Sequence, residues 1–421
     1  MPRSGKLLPS ILRRPLGVAT LLAAVAALFA AACAGGDAAQ PLGPTPTPVP
    51  DPVIDLPTLP TPSGNIVVAE FGPYPGEVGS KGSNFVEQDP AYWINTDPLT
   101  IDGLQGEVVL VDFWTYTCVN CIRTLPYLRD WHEKYGDIGL TIVGVHTPEF
   151  EFERLRENVE EAVAEFDIGW PVVQDNAYAT WQAYHNQFWP AKYLLDKDGI
   201  IRFTHFGEGA YLETEAEIRN LLLDAGVSLA GIPTGTDAGP EFDPRALVND
   251  YDTGQTRELY AGLRPQFLAR IPYLLQPEIY SATPGDPVTF EDPGEHQNHY
   301  LYFHGQWIPE QESARHARET EDLEDYVALR FNAKSVNAVM EIDEESYRVY
   351  VTLDGQPVPE ADWGLDMQQD EEGGTYILVD KDRMYRIIES SEYSTHELKL
   401  SSNSDQFTLF AFTFGSYPSG P

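Results

Sequence analysis

Three observations predict an α/β domain with a central mixed sheet and helices on both faces, followed by an all-β sandwich of jelly-roll type. The apolar run Val108–Trp114 leads into Cys118-Val119-Asn120-Cys121, and a helix-like pattern follows the second cysteine. Segments of strand and helix character alternate across residues 65–230, the pattern of a sheet covered on both faces. Beyond 245 the helical periodicities give way to short apolar or alternating runs separated by turn signals, as in a sandwich.

In order, Val108–Trp114 reads as a buried strand, apolar except for Asp112. Residues 122–135 form a helix containing Pro126, 140–146 a second strand and 152–166 a charged amphipathic helix. A short strand at 170–174 and a short helix at 177–185 precede two strands, 191–195 and 200–206, which turn at Asp198-Gly199. A helix at 215–224 closes the unit. In the second region strands are expected at 300–303, 326–331, 347–353, 375–379, 396–400 and 407–414, with turns at Asp354-Gly355 and Gly373-Gly374.

The N-terminus carries Arg3, Lys6, Arg13 and Arg14 ahead of an alanine-rich apolar stretch ending in Ala30-Ala31-Ala32-Cys33. Residues 1–33 read as a lipoprotein signal peptide, too short in its apolar part for a membrane span, with Cys33 resembling the lipidated residue of a lipobox. Ordinary cleavage that leaves Cys33 as a free thiol is the alternative. Residues 34–64 are rich in Pro and Thr and suit an extended spacer, and 231–244 form a second linker before a β-sandwich at 245–421. The formal charge of −38 repels phosphate backbones and excludes nucleic acid as an expected partner.

The chemistry centres on the two cysteines. A cysteine at a helix N-terminus meets unpaired amides and the positive end of the macrodipole, which favour its thiolate. A second thiol one turn on can resolve the mixed disulfide. A structural disulfide or half of a zinc site are the competing readings. Zinc needs two further ligands; the remaining cysteine is Cys33, and the close pair His296 and His299 is remote in sequence. No metal or cofactor is expected beyond a redox-active Cys118–Cys121 disulfide. Cys118 is expected to be partly exposed and acidic, with a pKa in the roughly 3.5–7.5 range of such motifs.

The stretch Val109 to Cys121, VLVDFWTYTCVNC, resembles the thioredoxin fold and, within it, the DipZ-like (redoxin/TlpA-like) branch of extracytoplasmic thiol–disulfide oxidoreductases. Trp93-Ile94-Asn95-Thr96, Val143 to Phe150, Phe188 to Asp196 and Phe206-Gly207-Glu208-Gly209 extend the likeness. Glu258-Leu259-Tyr260-Ala261-Gly262 and Phe412-Thr413-Phe414-Gly415 resemble the β-rich domain that follows in that family. The resemblance implies that Cys118 is the nucleophile and Cys121 the resolving thiol. It makes Asp112 the buried carboxylate serving Cys121, Trp114 the aromatic beneath the active-site loop, and Pro190 a cis-proline beside the cysteines. Thr124 stands where related cytochrome-maturation reductases often carry a glutamate. The membrane electron conduit fused to the best-known DipZ proteins has no counterpart here, so electrons are expected from a membrane donor in trans.

The expected function is disulfide exchange with substrate proteins outside the cytoplasm, on a membrane anchor at Cys33. A glycan- or partner-binding surface lipoprotein is the first alternative, with Tyr300, Tyr302, Trp307 and Trp363 as sugar-stacking faces or simply core. A thiol peroxidase is the second: Thr115 matches half of that pattern, but Val111 stands where its proline belongs. His146 and Glu149 either line a substrate groove or have no chemical role. His296, His299 and His304 read as solvated side chains in preference to metal ligands.

Overall fold

The computed structural model describes residues 73–235, 254–343 and 345–416. The leader, Cys33, the 34–64 spacer and positions 236–244 of the second linker lie outside the described residues.

A six-stranded sheet has the order β1-β4-β3-β2-β5-β6, formed by β1 (Trp93–Ile94), β2 (Val108–Trp114), β3 (Leu140–His146), β4 (Val172–Gln174), β5 (Ala191–Leu195) and β6 (Ile201–Phe206). The β2, β3 and β4 strands run parallel, and β1, β5 and β6 pair antiparallel, so the sheet is mixed as expected. β2 is buried at every residue because it lies between β3 and β5, which explains its nearly continuous apolar run. Its side chains alternate between faces. Val109, Val111 and Phe113 enter one core, whereas Val108, Leu110 and Trp114 enter the core that also holds both cysteines. Asp112 therefore belongs to the cysteine face. The helices are α1 (Val119–Tyr135), α2 (Arg156–Glu165), α3 (Ala179–Ala183) and α4 (Tyr211–Asp224). The helix expected at 152–166 is divided: Glu151–Arg154 is a 3-10 turn, and Leu155 adopts extended backbone before α2.

The second region opens with β7 (Leu259–Tyr260) and α5 (Leu263–Leu268). The strands β8 (Val288–Phe290), β9 (Leu301–Pro309), β10 (Ala314–His316), β11 (Tyr326–Glu341), β12 (Tyr347–Leu353), β13 (Gln356–Pro357), β14 (Met367–Gln369), β15 (Thr375–Val379), β16 (Arg383–Ser401) and β17 (Thr408–Gly415) follow. All pair antiparallel within one 11-stranded sheet. The region is all-β as expected, but its hydrogen bonding runs through a single sheet. The reason is the length of β11 and β16, 16 and 19 residues. β11 pairs with β9 along its first part and with β17 along its second, across register shifts near Ser335. Such bulges bend a strand from one layer into the next. Gly305, at φ 86°, sits where β9 passes from β11 to β10, and a Cβ there would lie 2.0 Å from Asp325 Oδ1.

The two regions are not separately packed modules. Val339, Met384, Phe410 and Ala411 belong to the same apolar cluster as Cys118, Cys121, Phe150 and Phe152. The Phe410 ring meets Phe150 and Phe152 edge-on at 5.0 and 4.9 Å. Arg123, buried on α1, reaches Ser335 Oγ of β11 at 3.5 Å. A Cβ at position 415 would lie 2.0 Å from its Nη2, so any side chain there would displace that guanidinium.

The aromatic residues considered for sugar stacking are largely structural. Trp307 and Tyr302 are buried, Trp363 packs on the β core, and the Trp307 and Trp363 indoles donate to His304 O and Val358 O. His296 is bound by Asp292 and Glu397, each at 3.0 Å, and His299 contacts Thr256 at 2.8 Å. Among the described residues no group of three or more His, Cys, Asp or Glu is placed to hold a metal.

Candidate active site

Cys118 is the N-cap of α1, with extended backbone (φ −77°, ψ 108°). The Cys121 N–H donates to Cys118 Sγ at 3.3 Å, the contact that a capping oxygen would otherwise make. The neighbouring Thr115–Cys118 turn is closed by the Cys118 N–H on Thr115 O at 3.4 Å. Both cysteines are free thiols, and Cys121 is wholly buried.

The exposure expected of Cys118 is not observed: it is 7% exposed. Burial, reinforced by Cys121 and by the negative charge of Glu258, pushes its thiol well above the usual range, and the Cys121 amide only partly offsets this. The helix-end argument counted one favourable amide. It omitted the second region, which removes water from the thiol and brings a carboxylate toward it.

Asp112 lies opposite Lys192 across the β2–β5 pair. Their charged atoms are 3.1 Å apart, and each side chain is 1% exposed. Burial raises the Asp112 carboxyl, and Lys192 pulls it down less strongly. Trp114 is buried beneath the loop, edge-on to His146 at 5.2 Å. Tyr116 stacks on that imidazole at 5.6 Å. Desolvation lowers His146 to about 3, so it is neutral and part of the core. Thr115 Oγ1 is 3.3 Å from His146 Nε2, which turns that hydroxyl toward the core histidine.

Pro190 follows a cis peptide bond from Trp189 and directly precedes β5. Ala191 pairs with Phe113 at the end of β2, which places Pro190 beside the cysteine turn. The Trp189 indole donates to Thr147 O at 3.1 Å, and the Thr147 N–H donates to Trp114 O at 3.0 Å. These bonds tie three loops around the cysteines. Phe188 and Phe206 flank them as an exposed ring pair at 5.4 Å.

Four charged or phenolic residues of the site were not singled out from the sequence: Arg123, Lys192, Glu258 and Tyr260. Lys192 carries a readable signal, a lysine inside an apolar strand that must find a counter-charge. Glu258 directly precedes the two-residue strand that holds Tyr260; nothing local says that either residue lies near the cysteines. The Tyr260 hydroxyl lies 2.6 Å from Glu149 Oε1 and 3.1 Å from Glu258 Oε2. Glu149 is pushed up to about 8 by burial, then by the charges of Glu258 and Glu153. Burial also raises Glu258, against the pull of Tyr260 and Arg123.

The likeness to known proteins agrees with this geometry. A family profile described as "AhpC/TSA family" matches residues 78–204, and one described as "Thioredoxin like C-terminal domain" matches 269–415. Protein DipZ of Mycobacterium bovis is 44% identical over 176 residues, 41% of this chain and 24% of that protein; the match to DipZ of Mycobacterium tuberculosis has the same extent. The chain thus spans 24% of the length of these relatives. Thiol-disulfide oxidoreductase YkuV of Bacillus subtilis is 31% identical over 133 residues, 31% of this chain and 88% of that protein. The chain belongs to the DipZ-like, thioredoxin-fold thiol–disulfide oxidoreductases.

Proposed function

We propose that this protein exchanges disulfides with substrate proteins outside the cytoplasm, through Cys118 and Cys121, while anchored to the membrane by lipidated Cys33. The observation that carries the reading is the pair of free thiols on the first turn of α1, with Cys121 N–H on Cys118 Sγ at 3.3 Å. In the reducing direction Cys118 attacks one sulfur of a substrate disulfide and forms a mixed disulfide. Cys121 then attacks Cys118 Sγ, and the substrate leaves as two thiols. The exposed Phe188 and Phe206 beside Pro190 offer apolar surface to an incoming polypeptide. Electrons return from a separate membrane protein.

Two relatives, YkuV and ResA of Bacillus cereus, are named thiol-disulfide oxidoreductases, which supports this chemistry. The basic, apolar and small-residue order of 1–33 supports export. Among the described residues no helix is long and apolar enough to cross a membrane. The test is trapping. Cys121→Ser should accumulate mixed disulfides with substrate proteins, visible by non-reducing electrophoresis and mass spectrometry at Cys118, and Cys118→Ser should accumulate none. Trapping at Cys121 in the Cys118→Ser protein would refute the order of attack.

A further inference from the structure

The residue before Cys118 is held by a buried carboxylate from another loop. Glu153 and Thr117 are 0% and 1% exposed. The Thr117 hydroxyl donates to Glu153 Oε1 at 2.5 Å. The other oxygen, Oε2, accepts the Phe150 N–H at 2.9 Å and the Glu149 N–H. Glu153 stands third in the 3-10 turn and reaches back to the amide of its N-cap, Phe150. Two amides and a hydroxyl thus supply donors to both oxygens, which is the arrangement an ionised carboxylate matches.

The loop that carries Glu153 is braced by the second region at three points. Phe410 meets Phe150 and Phe152 edge-on. Tyr260 Oη lies 2.6 Å from Glu149 Oε1, and the Glu151 N–H donates to Glu312 Oε2 at 3.0 Å. On the other side of the Thr117–Glu153 bond stands the cysteine turn. There Thr115 Oγ1 is 3.3 Å from His146 Nε2, the Tyr116 ring stacks on the same imidazole, and the Cys118 N–H closes on Thr115 O. Each of the three residues ahead of Cys118 is therefore tied to the segment that runs from His146 to Glu153.

We propose that Glu153 is a positioning residue: through Thr117 it holds Cys118 at the helix end within reach of Cys121, and so sets the stability of the Cys118–Cys121 disulfide. This rests on the two cysteines being the exchanging pair. Forming that disulfide closes a small ring, and the entropy of closure depends on how widely Cys118 moves in the dithiol state. The bond from Thr117 confines it, so that Cys118 Sγ stays on the first turn of α1, where the Cys121 N–H meets it at 3.3 Å. Losing that bond frees the dithiol more than the disulfide, which its own S–S bond still confines. The effective concentration of one thiol at the other falls, and the couple becomes easier to reduce. Attack of Cys121 on a mixed disulfide at Cys118 slows for the same reason. The first attack, by Cys118 on an outside disulfide, joins two molecules and gains nothing from the confinement.

The test uses the full chain, equilibrated near pH 7 with mixtures of glutathione and glutathione disulfide. The disulfide takes two electrons and two protons from the cysteine pair and leaves as two glutathione thiols. Acid quenching, alkylation and peptide mass spectrometry give the oxidised fraction. A hydrogen bond to an ionised group is strong enough for a roughly tenfold effect. Thr117→Val keeps the side-chain shape and removes the donor. It should shift the equilibrium about tenfold toward the dithiol, a potential higher by about 30 mV. The mixed disulfide with glutathione should persist about tenfold longer in that variant, while alkylation of Cys118 keeps its wild-type rate. Thr117→Ser restores the hydroxyl and should return the equilibrium to within about twofold of wild type. Glu153→Gln, whose amide can bond to Thr117 Oγ1 while its oxygen accepts the two N–H groups, should lose less than Thr117→Val does. A Thr117→Val protein with an altered melting temperature but the wild-type equilibrium would show a merely structural bond and overturn the proposal. So would a shift that Thr117→Ser leaves in place. A wild-type protein that equilibrates with glutathione yet reduces no protein disulfide would instead sink the oxidoreductase reading, while the Thr117→Val shift still decides the role of Glu153.

Discussion

Phe410 is the test of whether the two regions act as one folding unit. Its ring is buried at the seam and meets Phe150 and Phe152 edge-on at 5.0 and 4.9 Å. Phe410→Ala removes a buried aromatic and leaves a cavity, a loss of about 3–5 kcal/mol. Phe410→Leu keeps most of the apolar area but forfeits the two ring contacts, each worth about 0.5–1.5 kcal/mol, so roughly 1–3 kcal/mol is expected. Equilibrium urea unfolding gives the totals. Hydrogen exchange by mass spectrometry then shows where they fall: α1 and β3 peptides should lose protection together with β11 and β17 peptides, because one core spans both. Cys118 alkylation should also quicken in Phe410→Ala, since the residues that cover the thiol share that core. A variant whose β17 peptides open while α1 peptides keep their full protection would refute the shared-core reasoning and restore the picture of two modules on a linker.

Four further outcomes are expected. Burial holds Glu149 protonated up to about 8, far above the usual carboxylate value of 4.5. The folded state therefore binds more protons than the unfolded one between those values, and stability should fall as pH rises through that window. Melting temperatures at several pH values check this, and Glu149→Gln should flatten the slope. Asp112→Asn leaves Lys192 buried without its counter-charge, at a cost of about 3–5 kcal/mol, and a double Asp112→Asn, Lys192→Met protein should recover much of it in chemical denaturation. The same Asp112→Asn change should lengthen the life of the mixed disulfide in quenched-flow trapping if the carboxyl serves Cys121. Mass spectrometry of the mature N-terminus should find a diacylglyceryl-modified Cys33; a water-soluble product beginning elsewhere would remove the anchor.

What the sequence alone determined is local in origin. A continuous apolar run with one acid, a cysteine pair at the start of a helix, and alternating patterns of period 2 and 3.6 depend on neighbours along the chain. Hence β2, α1, β3 and the β5–β6 pair stand close to where the residues predict them, and Cys118 and Cys121 are side by side. The likeness of Phe188 to Asp196 to its family implies a cis-proline at Pro190, and the Trp189–Pro190 bond is cis, one residue before Ala191 pairs with Phe113. The environment of the thiols was decided only by the tertiary structure. Phe410, Glu258 and Tyr260 are far from Cys118 along the chain, and no periodicity links a short strand near 260 to a helix that starts at 119. Their meeting depends on β17 carrying β7 to the seam and on Arg123 passing over Gly415. Burial and charge act through space, so the same helix N-terminus that would favour a thiolate in water instead carries a thiol whose proton is held in place by the surface packed against it.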